Sequence, residues 1–192
     1  MYREQIRPAI IMFIILTVIT GVFYTTFVTV VTQIFFRTEA HGSIVYQDGK
    51  AVGSVLIGQS FDDPRYLWGR ISATTPTPYN SASSSGSNLA ASNPALLDIV
   101  KTRVEKLRAA DPDNDMPIPV DLVTSSASGL DPHISQAGAY YQVHRIAARR
   151  GIPANIVKGT IDKNTTGRLY GVIGEPVVNV LKVNLDLDSY KR

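Results

Sequence analysis

"PAIIMFIILTVITGVFYTTFVTVV", residues 8–31, sets the organisation of this 192-residue chain. From Pro8 to Phe36 there is no charged side chain. A bilayer core is crossed by roughly 20 apolar residues in a helix rising 1.5 Å per residue, and this run supplies that length with room for tilt. Its many β-branched residues would favour a strand in water. In lipid, however, the backbone N–H and C=O groups must be satisfied within the segment, so an isolated run of this kind spans as a helix. The run is also about twice as long as the 7–15-residue apolar region of a cleaved signal, which argues against cleavage at "TEA", residues 38–40. The expected organisation is a short N-terminal tail (1–7), a transmembrane anchor helix (8–33) and a soluble domain (37–192).

Arg3 and Arg7 precede the span, while Arg37 and Lys50 follow it, so the positive-inside count is close to a tie. A very short tail ahead of a long apolar run is compatible with a cytoplasmic N-terminus and an exported domain. The absence of cysteine is compatible with export as well. Within the span, Gly21, Thr25, Thr29 and Thr32 follow i, i+4, i+8, i+11 spacing and line one stripe. Small and hydroxyl-bearing residues let helices approach and hydrogen-bond across the contact, so the stripe is the expected seat of a partner helix. The alternative is that each threonine bonds back to a carbonyl of its own helix.

Setting Arg3, Arg7 and Glu4 aside from the totals of 19 basic and 16 acidic residues leaves 17 and 15 after the span. That balance, with no basic stripe interleaved with aromatics, gives no footprint for a nucleic-acid partner. With no cysteine, a disulfide framework, a thiol nucleophile and a zinc–thiolate site are all excluded. "SIVYQDGKAVGSVLIG" (43–58) reads as a β-hairpin around Asp48-Gly49. Residues 61–93 are rich in Pro, Ser, Thr, Gly and Asn and form either a linker or a long ordered loop, with Tyr66, Trp68 and Tyr79 favouring order. Asn93 caps a helix that Pro94 opens, with Leu96, Val100, Val104 and Leu107 on one face. A second helix runs from Ser135 as cap to Arg150, stopped by Gly151, and a shorter one covers Pro153 to Lys163. "VVNVLKVNLDLD" (177–188) alternates and reads as a half-buried strand with Leu181, Val183, Leu185 and Leu187 inward. Helices and strands without regular βαβ alternation make an α+β domain.

"TSSASGLDPHIS" (124–135) gathers serines, an aspartate and a histidine. A nucleophile elbow needs G-x-S-x-G, and only Gly129 is present around Ser126 and Ser128. Asp131 and His133 flank Pro132, a poor arrangement for a base and its orienter, since triad members converge from distant segments. His41, His133 and His144 are the only histidines, and a catalytic zinc wants three protein ligands. The stretch reads instead as a turn: the serines bond locally to backbone, Gly129 permits a left-handed residue, and Asp131-Pro132 starts the bend before Ser135 caps the helix. "GSVLIGQS" (53–60) matches a phosphate-binding loop except that Gln59 replaces the lysine and the loop positions are strand residues.

Taken together, "RPAI", "GSVLIGQSF", "YLWGRISAT", "PYNSASSSGSNLAASNP", "VDLVTSSASGLDPHIS" and "IGEPVVNVLKVNLDLD" resemble, in this order, the C subunit of the Kdp potassium-transporting ATPase, the KdpC family. The chain departs from the family pattern at Ile71, Ser85, Gln136 and Glu175. The resemblance implies a non-catalytic accessory subunit, single-pass in the bacterial inner membrane, with its soluble domain outside. Its implied partners are a channel-like potassium-binding subunit, a P-type ATPase subunit that hydrolyses ATP, a very small subunit and membrane lipid. The family is described as a catalytic chaperone that raises the ATP affinity of the ATPase subunit. It implies no cofactor of the chain's own, with ATP met only in a transient ternary complex. The blocks that carry the resemblance mark candidate partner contacts at Gly58, Gln59, Asn88, Asn93, Ser128, Gly129, Asp131 and His133. Two other function classes stand beside this one: a membrane-anchored hydrolase using residues 124–135, and a freestanding extracytoplasmic binding module.

Overall fold

The computed structural model describes residues 2–190. The chain forms two compact units, divided between Ile44 and Val45.

The first unit is helical. α1 (Tyr2–Val18) passes through one stretch of π-helix (Ile19–Tyr24) into α2 (Thr25–Phe35), and a four-residue helix, α3 (Arg37–Ala40), follows. Among the described residues Glu4–Phe35, 32 residues, is the one helix long and apolar enough to cross a membrane. At 1.5 Å per residue it measures roughly 48 Å, longer than a hydrocarbon core of about 30 Å, so both ends reach past the 8–33 limits read from composition. Two of the stripe threonines use their hydroxyls locally: Thr25 Oγ1 donates to the Gly21 carbonyl at 2.6 Å and Thr32 Oγ1 to the Val28 carbonyl at 3.0 Å. Thr20 does the same to Leu16 at 2.7 Å. Thr20 and Gly21 lie inside the π-helical stretch and Thr25 directly follows it, where the i→i+5 pattern disturbs the regular ladder and extra donors find carbonyls to meet. A Cβ placed on Gly21 would meet nothing within 4 Å, so this face is open.

The second unit starts with the hairpin. β1 (Ile44–Gln47) and β2 (Lys50–Ser54) pair around Asp48-Gly49, both with positive φ as a two-residue hairpin turn requires. β2 ends at Ser54, so "VLIG" (55–58) is a turn and not strand. Then comes a long segment without regular elements, up to α4 (Pro94–Ala110), which begins where Asn93 Oδ1 accepts from the Ala95 amide at 3.0 Å. A short 3₁₀ turn at Val120–Leu122 precedes β3 (His133–Ser135). Ser135 Oγ accepts from the Gly138 amide at 2.9 Å and caps α5 (Gln136–Tyr141). The expected single helix to Arg150 is interrupted at Gln142, and α6 (Val143–Arg150) completes it, ending at Gly151 with φ 60°. α7 (Ala154–Lys163) follows, then β4 (Thr165–Thr166) and β5 (Val177–Asn179). β5 lies between β3 and β4, antiparallel to both, with Val178 opposite Ile134 and Thr165. The mixed content agrees with the α+β class.

The last element corrects the sequence reading. Residues 177–188 are not one strand: only Val177–Asn179 is extended, and α8 (Val180–Ser189) takes the rest. Asn179 decides the change, because its Oδ1 accepts from the Lys182 amide at 3.1 Å and supplies an N-cap. Val180, Val183, Asn184 and Leu187 then fall on one buried face at i, i+3, i+4, i+7, with Leu181 beside them. Asn184, assigned by alternation to the solvent side, is inside the core.

The core gathers Leu67 and Trp68 of the long segment with Leu107, Leu122, Ile134, Ala139, Ile146, Val157, Ile161, Val178, Val183 and Leu187. Leu67 and Trp68 bring backbone polar groups inside with no strand beside them. Asn184 answers for Leu67, accepting from its amide at 2.7 Å and donating to its carbonyl at 3.0 Å. Gln142 does the same for Trp68, at 2.9 and 3.1 Å. Each amide side chain thus imitates one residue of a neighbouring strand. Asn184→Ala leaves one buried donor and one buried acceptor unpaired, and denaturant unfolding of the solubilised full chain is expected to show a loss of about 2–4 kcal/mol.

Candidate functional site

The long segment 58–93 and the turn 124–135 clasp one another. The Gly58 amide donates to the Leu130 carbonyl at 2.8 Å, and the Ser85 amide to the Ser128 carbonyl at 3.0 Å. Ser72 Oγ donates to the Gly129 carbonyl at 2.7 Å, and Ser125 Oγ meets Ser87 Oγ at 3.2 Å. Arg70 crosses the seam, donating to the Ser125 carbonyl at 2.9 Å and pairing with Asp131 at 3.3 Å. Hydroxyl-rich, glycine-rich sequence is therefore used as joinery: short polar side chains reach backbone groups that no sheet satisfies.

Two glycines make the close approach possible. A Cβ on Gly58 would lie 2.4 Å from the Tyr79 ring and 2.6 Å from the Asp131 carbonyl oxygen. One on Gly129, at φ +67°, would lie 2.5 Å from the Ser85 carbonyl oxygen. Tyr79 completes the seam by donating its hydroxyl to the Arg70 carbonyl at 2.6 Å, and burial pushes its phenol up to about 12.

Gln59 turns back on its own hairpin, donating from Nε2 to the Val52 carbonyl at 2.8 Å and lying against Gly53. Asn88 is exposed with φ +50°, and Asn93 serves as the cap of α4. Ser128 is exposed, and its Oγ accepts from the Leu130 amide at 3.1 Å. Asp131 accepts from the His133 amide at 3.0 Å, with the imidazole Nδ1 3.7 Å from the same oxygen. The other ring nitrogen of His133 lies 3.4 Å from Asn179 Nδ2, and burial holds this imidazole below its ordinary pKa. Ser126 Oγ accepts from the Gly129 amide at 2.9 Å. Among the described residues no hydrogen bond joins Ser126 or Ser128 to His133, and no three His, Asp or Glu side chains converge as a metal site. Gly58, Gly129, Asp131, Ser128 and His133 are brought together at the clasp. Gln59 sits at the hairpin beside it, and Asn93 stands at the far end of the segment.

One cluster escaped the sequence reading. Trp68, 2 % exposed, has Arg145 at 4.1 Å from its ring centroid, with Lys106 at 5.2 Å and Arg103 at 5.5 Å. Arg103 donates to the carbonyls of Leu122 and Gly69 at 3.0 and 2.8 Å, and Arg145 to those of Pro64 and Tyr66. Burial brings the Arg145 guanidinium down to about 10. These cations serve the long segment as fixed forks of donors, and Lys106 pairs with Asp62. A cavity of about 480 Å³ lies between the segment and α4, walled by Phe61, Arg70, Tyr79, Ile99, Arg103 and Lys106 among others. The available signal was Arg103, three residues after Val100 and four before Leu107 and so on the apolar face of α4; no such signal marked Arg145.

The sequence that folds in this way matches a known family over nearly its whole length. The family model for the K+-transporting ATPase c chain, KdpC, matches residues 6–189. The chain belongs to the KdpC family. Proteins carrying the name potassium-transporting ATPase KdpC subunit are similar to it from end to end. The Dechloromonas aromatica protein is 55% identical over 190 residues, covering 99% of this chain and all of the relative. That of Herpetosiphon aurantiacus is 54% identical over 189 residues, covering 98% of each. That of Sorangium cellulosum is 55% identical over 185 residues, covering 96% of this chain and 97% of its own. KdpC is an accessory subunit of the ATPase and not its catalytic chain.

Two outcomes test the clasp. Gly58→Ala forces Tyr79 and the Asp131 backbone apart and is expected to cost about 1–3 kcal/mol of unfolding free energy by overpacking. Tyr79 has a folded pKa of about 12, above the ordinary phenol value near 10, so its contribution is full below pH 10 and is lost as pH rises from 10 through 12. Over that window the unfolding free energy of the parent chain should fall by up to about 2 kcal/mol more than that of Tyr79→Phe.

Proposed function

We propose that this KdpC chain is the non-catalytic subunit that holds an ATP-driven potassium uptake complex together, anchored in the bacterial inner membrane with its second unit outside. The observation that carries this reading is the extent of the family match, residues 6–189, which takes in anchor and domain as parts of one subunit. Its partners in this reading are the channel-like potassium-binding subunit, the P-type ATPase subunit and the very small subunit. The clasp supports a presenting role, because it spends its serines, glycines and Asp131 on internal bonds and so offers a surface of fixed shape. The stripe of Gly21, Thr25, Thr29 and Thr32 is the proposed contact for a partner helix within the membrane. There the open face at Gly21 permits close approach.

The chaperone effect on ATP affinity is proposed as an indirect one, exerted through the assembled complex. Gln59 occupies the position where a phosphate-binding loop carries its lysine, and it is turned onto the Val52 carbonyl. The 53–60 stretch, the end of β2 and the turn after it, therefore works as the foot of the hairpin. In membranes that express the other subunits without this chain, the complex recovered in mild detergent and its potassium-stimulated ATP hydrolysis should both drop at least about tenfold, equivalent to ~1.4 kcal/mol of coupling. Unchanged recovery and turnover would refute the assembly role. Reporter fusions at the C-terminus should be active only when the reporter is one that works outside the inner membrane.

A further inference from the structure

Between β4 and β5 the chain makes a tight turn rich in large apolar residues: "RLYGVIGE", residues 168–175. Leu169, Tyr170, Val172 and Ile173 are 59, 86, 74 and 59 % exposed. Other large apolar side chains at the surface of this unit stand singly, such as Leu56, Met116 and Val120, or as a pair, Leu97 and Ile99, which is ordinary. Four within five residues are not ordinary, and contiguous exposed apolar surface marks a place of contact.

The turn is also built to keep its shape. The Leu169 amide donates to the Ile173 carbonyl at 2.8 Å and the Ile173 amide to the Leu169 carbonyl at 3.0 Å. Inside that pair, Gly171 donates to Arg168 at 3.1 Å and Val172 to Leu169 at 3.2 Å. Arg168 closes the base by reaching both oxygens of Glu175 at 2.8 Å. A Cβ added at Gly167, Gly171 or Gly174 would meet nothing within 4 Å, so the turn stands clear of the body. A rigid projection with a tyrosine at its tip loses little conformational entropy on docking and suits a central contact.

We infer that the Leu169–Ile173 turn is a preformed apolar plug that seats in a dry, uncharged recess on another subunit of the potassium-transporting ATPase. The inference rests on the assembly role proposed above. A different subunit is the occupant because the family is one chain of a multi-subunit enzyme. A bilayer surface fits less well: segments that lie on lipid bring cations to the headgroups, and the flanking Arg168 is committed to Glu175.

The test uses the full chain co-expressed with the other subunits. A photo-reactive benzoylphenylalanine at position 172 should cross-link to another subunit of the complex. Val172→Asp should lower recovery of the complex by at least about tenfold, with the thermal midpoint of the solubilised chain unchanged because the residue is exposed. Cross-linking to lipid, to a second copy of this chain or to nothing would overturn the inference, as would full recovery of the complex with Val172→Asp. If the complex forms normally without this chain, the assembly role itself fails. If it needs the chain but tolerates Val172→Asp, the plug alone fails.

Discussion

Leu67 and Trp68 run through the centre of the second unit without a strand on either side, and everything around them follows from that constraint. A buried backbone amide or carbonyl without a partner costs as much as a lost hydrogen bond, so each must be answered. Asn184 on α8 and Gln142 between α5 and α6 answer all four groups with their side-chain amides. The break in the helix at Gln142 and the presence of a helix at 180–189 are thereby tied to the path of a loop more than 70 residues earlier in the chain. Trp68 in turn draws Arg103 and Arg145 inward, since a guanidinium can lie on an indole face while its N–H groups reach loop carbonyls.

The same economy shapes the clasp. A segment rich in serine and glycine would stay disordered if left to its own composition. Here it is ordered because its partner, residues 124–135, is of the same kind, and each supplies the short donors and acceptors the other lacks. The cluster of Ser, Asp and His that looks like reaction chemistry is consumed by this work. Ser126 fixes the Gly129 amide, and Asp131 fixes the His133 amide and holds Arg70. A domain of this construction, preceded in the chain by a helix long and apolar enough to cross a membrane and displaying the apolar turn at Leu169–Ile173, is suited to present a surface. That suits an accessory chain of an ATPase whose catalysis lies elsewhere.

Features encoded locally were legible from the residues alone. The Asp48-Gly49 turn, the Asn93 and Ser135 caps and the Gly151 stop each depend on one or two residues and their own backbone, and the long N-terminal helix on an uninterrupted apolar run, so neighbouring letters suffice. The strand expected over 177–188 failed because alternation and helical periodicity both fit "VLKVNLDL", and the tie is broken by Asn179 as a cap and by Leu67 as the group that Asn184 must meet. Of the candidate site, the turn character of 124–135 could be read, since Gly129 and Asp131-Pro132 bend the chain by themselves. That the turn grips residues 58–87 could not be read, because those bonds join residues from 38 (Ser87 to Ser125) to 72 (Gly58 to Leu130) positions apart.

By itself, then, the amino-acid sequence determined that a helix long and apolar enough to cross a membrane lies near the N-terminus, that an α+β domain follows, and that the chain is of the KdpC kind. Each of these rests on local hydropathy, local capping or a string of recognisable blocks. Tertiary structure alone decided which polar residues are buried, that Asn184 and Gln142 take the place of a neighbouring strand, and that Leu169 to Ile173 face outward. Those outcomes turn on where distant backbone groups come to lie, and a hydrogen bond or a burial between remote segments leaves no mark on the letters at either end.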